Sequence, residues 1–439
     1  MNLVGWIGRI ISIGWSRWAL GWGFRSIAWA SLAVALVAVT GCTLPQVSAE
    51  DRLFLPLAVD FLEAVNFPKQ RFEGVPVGGL SALAYDRTAD RFLALSDDRS
   101  NLGPARFYTF KISFKANDGG NGPADKNNGQ PGFDQLAIEA VTTLKDKDGQ
   151  PFATWSIDPE GLALSPRKTV FISSEGDRDR GFAPWIREFD RTTGQTKLTL
   201  PLPRYYLPSA LPENVPGGRS GQAGPGSAES AIESRPSSGV ATSQAPDSQE
   251  PDSQDQGIRN NLGFESLTIE PIGAPTAAGL LEPFRVFTAV EGSLAQDLLS
   301  LAERSRPDQA TNAQDRDRLR RETAPRLRIL HFLVGDGPPM AVSEHAYILE
   351  PPGALDLSHG LTDLTSIDRG GHFLSLERTY SPLDGFGAKL FQVALAGATD
   401  TAGFPSLRGS LNSISPARKR LLLDLGLSLI HISEPTRPY

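Results

Sequence analysis

Residues Asp158-Pro159-Glu160-Gly161-Leu162-Ala163-Leu164-Ser165, then Val170-Phe171-Ile172, then Ser173-Ser174-Glu175-Gly176, spell out one β-hairpin. Acidic residues precede an alternating strand. Pro166-Arg167 marks a tight turn, and a more apolar strand then ends on an acid. Alternation at period 2 between turn residues is the pattern of antiparallel strands.

The pattern recurs. One copy runs Gly79-Leu80-Ser81-Ala82-Leu83-Ala84-Tyr85-Asp86, then Arg91 to Leu95, then Ser96-Asp97-Asp98. Another runs Asn261-Leu262-Gly263-Phe264-Glu265-Ser266-Leu267-Thr268-Ile269, then Phe284 to Val290, then Glu291-Gly292. The last runs Leu361-Thr362-Asp363-Leu364-Thr365-Ser366-Ile367-Asp368, then His372 to Leu376, then Glu377-Arg378. Further strands are expected over Phe107 to Phe114, Trp185 to Asp190, Arg326 to Leu333 and Lys389 to Ala394. Arg418 to Leu425 reads as the start of another. Regular repetition of hairpins predicts an all-β fold, a β-propeller of four-stranded blades, six-bladed when complete.

The propeller is assigned to residues 70–425, after a tether and first strand over 42–69. Two insertions interrupt it. Residues 208–258, rich in Ser, Gly, Pro, Gln and Asp, read as a disordered surface loop. Residues 302–325, crowded with Arg, Asp and Glu, read as a short charged helix or a solvated loop. A Gly/Asn-rich loop covers residues 117–132.

The N-terminus reads as an export signal. Arg9, Arg17 and Arg25 precede an uncharged run from Ile27 to Val39, and small residues follow. That run is short for a stop-transfer helix. Val39-Thr40-Gly41-Cys42 resembles a lipobox, and Cys42 is the one cysteine of the chain. Residues 1–41 are therefore expected to be a lipoprotein signal peptide and Cys42 the lipidated residue. The expected place is the cell envelope, lipid-anchored at the periplasmic or outer-membrane face. The other readings are plain secretion with a cut after Ala49 and an uncleaved anchor. A single cysteine excludes an internal disulfide and a thiolate zinc site.

The 439 residues carry 43 basic and 50 acidic side chains, a net charge of −7. Without a leader that holds three arginines and no acid, the balance is about −10. Such a surface argues against nucleic acid as a partner and is compatible with cations. A monomer is expected. No Gly-x-Ser-x-Gly elbow, His-Glu-x-x-His pair or phosphate-binding Gly-rich Lys loop is present. The histidines His331, His345, His359 and His372 are irregularly spaced, and Trp155 and Trp185 are expected in the core.

Acids recur at strand ends: Asp97, Asp98, Glu160, Glu175, Asp177, Glu265, Glu291, Asp363 and Glu377. Equivalent strand ends gather around the channel of a propeller, where oxygen donors suit Ca²⁺. Arg99, Arg178 and Arg378 stand beside them as candidate phosphate-binding groups. The alternative use of the same acids is to cap turns and pair with these arginines between blades.

The repeats resemble the phytase-like family, also called esterase-like activity of phytase. The matching segments are Gly78-Gly79-Leu80-Ser81 with Ser96-Asp97-Asp98-Arg99, Asp158-Pro159-Glu160-Gly161-Leu162 with Ser174-Glu175-Gly176, Asn261 to Leu267 with Glu291-Gly292, and Leu361-Thr362-Asp363-Leu364 with Leu376-Glu377-Arg378. The resemblance implies hydrolysis of a small-molecule phosphoester or ester. A non-catalytic binding propeller and a Ca²⁺-dependent lactonase-like hydrolase are the competing expectations. The family's last motif, Asn-x-Glu-Gly followed by Ser-Asp-Asn, is absent. Leu427 to Arg437 matches the translation of a transposase adapter used in sequencing libraries, so 427–439 is read as an artefact and the final blade or blades as missing.

Overall fold

The computed structural model describes residues 51–426, apart from 60, 62–63, 115–132, 210–254, 271–281, 307–309, 354–355, 384 and 410. The expected leader, Cys42, most of the 208–258 insertion, all of the Gly/Asn-rich loop and the last thirteen residues lie outside these. The chain divides into a unit over Met1–Leu53 and a unit over Phe54–Tyr439, and the second carries the strands.

The fold is a β-propeller with four four-stranded blades among the described residues. A small hairpin, β1 (Gln70–Phe72) and β2 (Val75–Val77), precedes them. Blade 1 is β3 (Leu80–Asp86), β4 (Arg91–Ser96), β5 (Arg106–Phe114) and β6 (Phe133–Thr143). Blade 2 is β7 (Pro159–Leu164), β8 (Thr169–Ser174), β9 (Trp185–Asp190) and β10 (Thr196–Thr199). Blade 3 is β11 (Phe264–Ile269), β12 (Phe284–Val290), β13 (Arg326–Val334) and β14 (Met340–Ile348). Blade 4 is β15 (Ser358–Ser366), β16 (His372–Ser381), β17 (Gly385–Ala394) and β18 (Arg418–Asp424). The strand expected from Arg418 is thus the outermost of blade 4.

Local chemistry makes the hairpins. Asp86, Asp190 and Asp368 each end a strand or turn and accept backbone N–H groups two or more residues on, from Thr88, Thr192 and Gly370. Such Asx turns fold the chain back before the next strand begins.

Blades stack through their first strands, with β3 on β7, β7 on β11 and β11 on β15. Each first strand carries a register shift near its start, between Leu80 and Ala82, Pro159 and Leu162, Phe264 and Ser266, and Leu361 and Asp363. Counted from the shift, Leu83, Leu162, Leu267 and Leu364 are equivalent. Leu162, Leu267 and Leu364 point at the preceding blade. Leu162, Leu267 and Leu364 are at most 4% exposed, each contributing about 1.5–3 kcal/mol of burial.

The described residues of the charged insertion include two helical segments. A helical turn α1 (Leu301–Arg304) is followed by α2 (Ala313–Glu322), capped by Asn312, whose Oδ1 accepts Asp315 N at 2.8 Å. Arg318 pairs with Asp315 and Glu322 along α2. Among the described residues no helix is long and apolar enough to cross a membrane.

Trp185 is buried as expected, but Trp155 is 38% exposed. Trp155 sits in a turn at φ +67° and lies under the Arg180 guanidinium at 4.8 Å. A turn position offers no neighbouring strand to cover the ring.

Candidate functional site

The register shift puts two side chains per blade at one end of the propeller. The extra residue on the first strand is Ser81 in blade 1, Glu160 in blade 2, Glu265 in blade 3 and Thr362 in blade 4. On the second strand, the residue after the last pair before the shift is Asp97, Glu175 and Glu291 in blades 1 to 3, and in blade 4, where the pairing runs on, it is Arg378, opposite Gly360. A bulge re-aims side chains in this way. The middle blades therefore contribute two glutamates each, and the outer blades do not.

Asp158 joins them from the residue before β7, where blades 1, 3 and 4 have Gly79, Gly263 and Gly360. Two groups form: Asp158, Glu160 and Glu175, and Glu175, Glu265 and Glu291. Within each group one carboxylate oxygen of each residue lies within 4.8 Å of the others. Glu175 belongs to both, so five acids make one continuous band. Asp158, Glu175 and Glu291 are at most 4% exposed, while Glu160 and Glu265 keep some solvent contact.

The glycines make room for the band. A Cβ on Gly263 would meet the Glu175 side chain at 3.0 Å, and one on Gly360 would meet Glu291 Cγ at 2.3 Å. Glu175 accepts the Gly263 N–H across the blade 2–blade 3 interface. Each of these glutamates thus lies over the next blade, which only glycine permits.

Charge is concentrated here with little relief. Burial, then Asp158 and Glu291, push the Glu175 carboxyl up to about 8. Burial pushes Glu160 well above the usual carboxylate range, and Glu265, Glu175, Asp158 and Asp97 add repulsion. Glu265 is raised in the same way by burial, Glu291 and Glu175. Glu291 is raised by burial, against the lowering effect of Arg378 and Arg259. The cations stand at the ends of the band. Arg99 Nε donates to Asp158 Oδ1 at 2.6 Å, and an Arg378 nitrogen lies 3.6 Å from Glu291 Oε1.

Residues 75–433 match the phytase-like family, described as esterase-like activity of phytase. The chain belongs to this family. No curated protein matches it. Among solved structures it is similar to the Dos1 propeller, at 8% identity and a TM-score of 0.23, with 79% of this chain and 84% of that chain covered. The fold rests on the four sheets and not on that likeness.

Other candidate residues of this phytase-like propeller stand elsewhere. Asp98 follows Asp97 and turns inward, where its Oδ2 accepts Arg106 at 2.8 Å and its Oδ1 accepts Asn101 N and Leu102 N. Glu377 is the equivalent of Ser174 and Val290, one residue short of the band. It points into the blade 3–blade 4 interface, bonded by Tyr347 Oη at 2.7 Å, His359 Nε2 at 3.2 Å and Lys419. Asp363 is the equivalent of Ser266, not of Glu265, and its side chain is exposed. A one-residue offset turns a side chain to the other face, which removes Asp98, Asp363 and Glu377 from the expected ring. Arg178 is held by both oxygens of Asp255. Asp177 pairs with Arg180, 3.9 Å from Arg99.

Asp158 is the site residue that the strand-end acids did not include. The signal was its place before the strand, opposite three glycines. A second buried network also escaped sequence reasoning. Arg328, with no exposed surface, bonds Asp297 at 2.6 and 2.9 Å and Glu344 at 2.6 Å. Glu344 also accepts Tyr205 Oη at 2.9 Å and Tyr206 Oη at 2.7 Å. Its partners are all satisfied, so it fastens the segments around blade 3.

Proposed function

We propose that this phytase-like chain hydrolyses phosphoesters or esters in a reaction that depends on Ca²⁺ held by the carboxylate band. The observation that carries the reading is the pair of three-carboxylate groups sharing Glu175. The donor set fits a hard cation. It is made of oxygen alone, and oxygens within 4.8 Å of one another suit Ca–O bonds of about 2.3–2.6 Å. Burial, with repulsion from neighbouring carboxylates, is why Glu160, Glu175 and Glu265 hold protons so strongly. Asp158, Glu160 and Glu175 would hold one cation, and Glu175, Glu265 and Glu291 a second.

When bound, Ca²⁺ supplies Lewis acidity toward a phosphoryl or carbonyl oxygen and lowers the pKa of a coordinated water. The chain's own groups supply the rest. Arg378, 38% exposed at its side chain, can hold an anionic substrate oxygen at the blade 4 end of the band. Arg99 orients Asp158 and fills the blade 1 end. Asp97, exposed and close enough to act on Glu160, is the carboxylate placed to accept a proton from water.

A second reading is favoured by the Glu175–Gly263 and Glu291–Arg378 contacts, which cross blade boundaries. On that reading the acids bind blades together in a non-catalytic propeller. The discriminating experiment is turnover of phosphomonoesters and carboxylic esters with Ca²⁺ and with chelator, in wild type, Glu160→Gln and Glu265→Gln. Chelator-sensitive turnover lost in both variants, with unchanged melting temperature in chelator, supports the hydrolase. No turnover on any substrate, with variants that melt earlier, supports the structural reading. The envelope location rests on the Val39-Thr40-Gly41-Cys42 lipobox and is tested by loss of membrane fractionation in Cys42→Ser.

A further inference from the structure

Trp155 stands in the left-handed region at φ +67°, a conformation that a bulky aromatic residue rarely adopts. The surrounding bonds hold it there. Trp155 N donates to Arg99 O at 2.7 Å, Thr154 Oγ1 to Ser100 O at 2.9 Å and Ser156 Oγ to Ala153 O at 2.7 Å. The turn before β7 is thus fastened to the loop after β4. Arg99, which takes the Trp155 backbone on its carbonyl, also bonds Asp158 of the carboxylate band through its side chain. Backbone strain that the surroundings enforce in this way gathers at ligand-binding places.

Arg180 meets the ring from the loop after β8. That loop is a short turn, closed where the backbones of Asp177 and Phe182 exchange bonds at 2.9 and 2.8 Å. The guanidinium lies 4.8 Å from the Trp155 ring centre, and its Nη1 pairs with Asp177 Oδ2. The Arg180 backbone N–H donates to Asp177 Oδ1 at 3.0 Å. Asp177 is buried and 3.9 Å from Arg99. Charges therefore alternate outward from the band in the order Asp158, Arg99, Asp177, Arg180. A guanidinium fixed on a ring face and at one nitrogen keeps its position and its other donors. The described residues offer those donors, and the Trp155 indole N–H, no acceptor. Arg178, expected to take phosphate, differs, because both oxygens of Asp255 hold it.

We propose that Arg180, positioned by Trp155 and Asp177, forms an oxyanion subsite at the blade 1 end of the band. The Arg99–Asp177 pair separates it from the acids, so the anion it takes is not the group held at the band. It is a second oxyanion group of the same ligand, bonded by the remaining guanidinium donors of Arg180. Trp155 is a positioning residue that keeps the guanidinium flat and aimed. That the anion belongs to a substrate rests on the hydrolase reading, whereas the subsite itself does not.

The test is titration of the full chain with inorganic phosphate at pH 7 and constant ionic strength, followed by tryptophan fluorescence and by calorimetry. Chelator is present, so that no cation at the band recruits the anion. The expected result is a saturable fluorescence change that disappears in Trp155→Phe, and affinity at least about tenfold weaker in Arg180→Gln. Calorimetry should show severalfold weaker binding in Trp155→Ala, which keeps the arginine and removes its platform. Acetate titrated in the same way is expected to bind more weakly, since it offers fewer oxygens. Absence of saturable binding in wild type, or equal affinity in Arg180→Gln and Trp155→Ala, would overturn the proposal. Phosphate binding without turnover of any ester would support the subsite and contradict the hydrolase reading. Turnover with phosphate affinity unchanged in Arg180→Gln would do the reverse.

Discussion

Arg378 occupies in blade 4 the position that Glu291 holds in blade 3, and its guanidinium lies 3.6 Å from that carboxylate. The band of acids therefore ends on a cation built into the same repeat. Removing it leaves Glu291 with less relief. Arg378→Gln is expected to lower the melting temperature at pH 8 in chelator, and added Ca²⁺ is expected to restore most of the loss. Differential scanning calorimetry with and without Ca²⁺ checks this. A loss that Ca²⁺ leaves untouched would assign Arg378 to blade cohesion alone.

Glu175 shares the pH dependence of the band with Glu160, Glu265 and Glu291. Its carboxyl is raised from 4.5 to about 8 in the folded protein. The folded state then holds a proton that the unfolded chain has released, so stability falls as pH rises through that window. Denaturant unfolding at pH 5, 6.5 and 8 in chelator should show this decline. Glu175→Gln should reduce it, with Glu160, Glu265 and Glu291 supplying the remainder. A wild-type stability that rises from pH 5 to 8 would contradict the burial described for this side chain.

Glu377 has the opposite sign. Burial would raise its carboxyl, but the bonds from His359 and Lys419 outweigh that and lower it from 4.5 to about 2. Its contribution is present above the unfolded value and is lost as pH falls toward 2. The contribution is on the order of 3 kcal/mol. Glu377→Gln should reduce the acid-side loss of stability between pH 4.5 and 2, together with part of the stability at neutral pH, as measured by urea unfolding across that range.

The four-blade organisation was legible in the sequence because each hairpin writes its own pattern of apolar alternation, a turn and an acid at the end of its second strand. Trp185–Asp190 is a strand over the expected span. β6 (Phe133–Thr143) and β14 (Met340–Ile348) were not legible, since both are outer strands with mixed exposure and no following acid. At the site, the glutamates of blades 2 and 3 read correctly as strand-end acids. Blade 4 misled, because Asp363 and Glu377 lie one residue from the positions of Glu265 and Glu291. A register shift is set by pairing with the neighbouring strand, and spacing along one strand does not reveal it.

Arg328 tests the buried network. Arg328→Met strands Asp297 and Glu344, both without exposed surface. Loss of one partner from a buried ion pair costs about 3–5 kcal/mol. Urea unfolding should show a loss of that size, with the carboxylate band's cation affinity unchanged. A loss below about 1 kcal/mol would place Arg328 among exposed pairs.

The 208–258 insertion leaves and returns at one place. Ile258 N donates to Tyr206 O at 2.9 Å, and Gly257 packs on the Leu207 backbone. Replacing residues 210–254 with a short Gly-Ser linker should alter stability by less than about 1 kcal/mol. Thermal melting of the excised protein measures this. A failure to fold would show that the insertion contributes to the core.

The most direct test of the cation-dependent band is calorimetric titration of Ca²⁺ at pH 8 into wild type and Glu175→Gln. The account predicts saturable binding of about two Ca²⁺ per chain with proton release, since ligating carboxyls must give up their protons. It predicts binding at least about tenfold weaker in Glu175→Gln, because that side chain belongs to both groups. Absence of saturable binding in wild type, or equal binding in the variant, would contradict it.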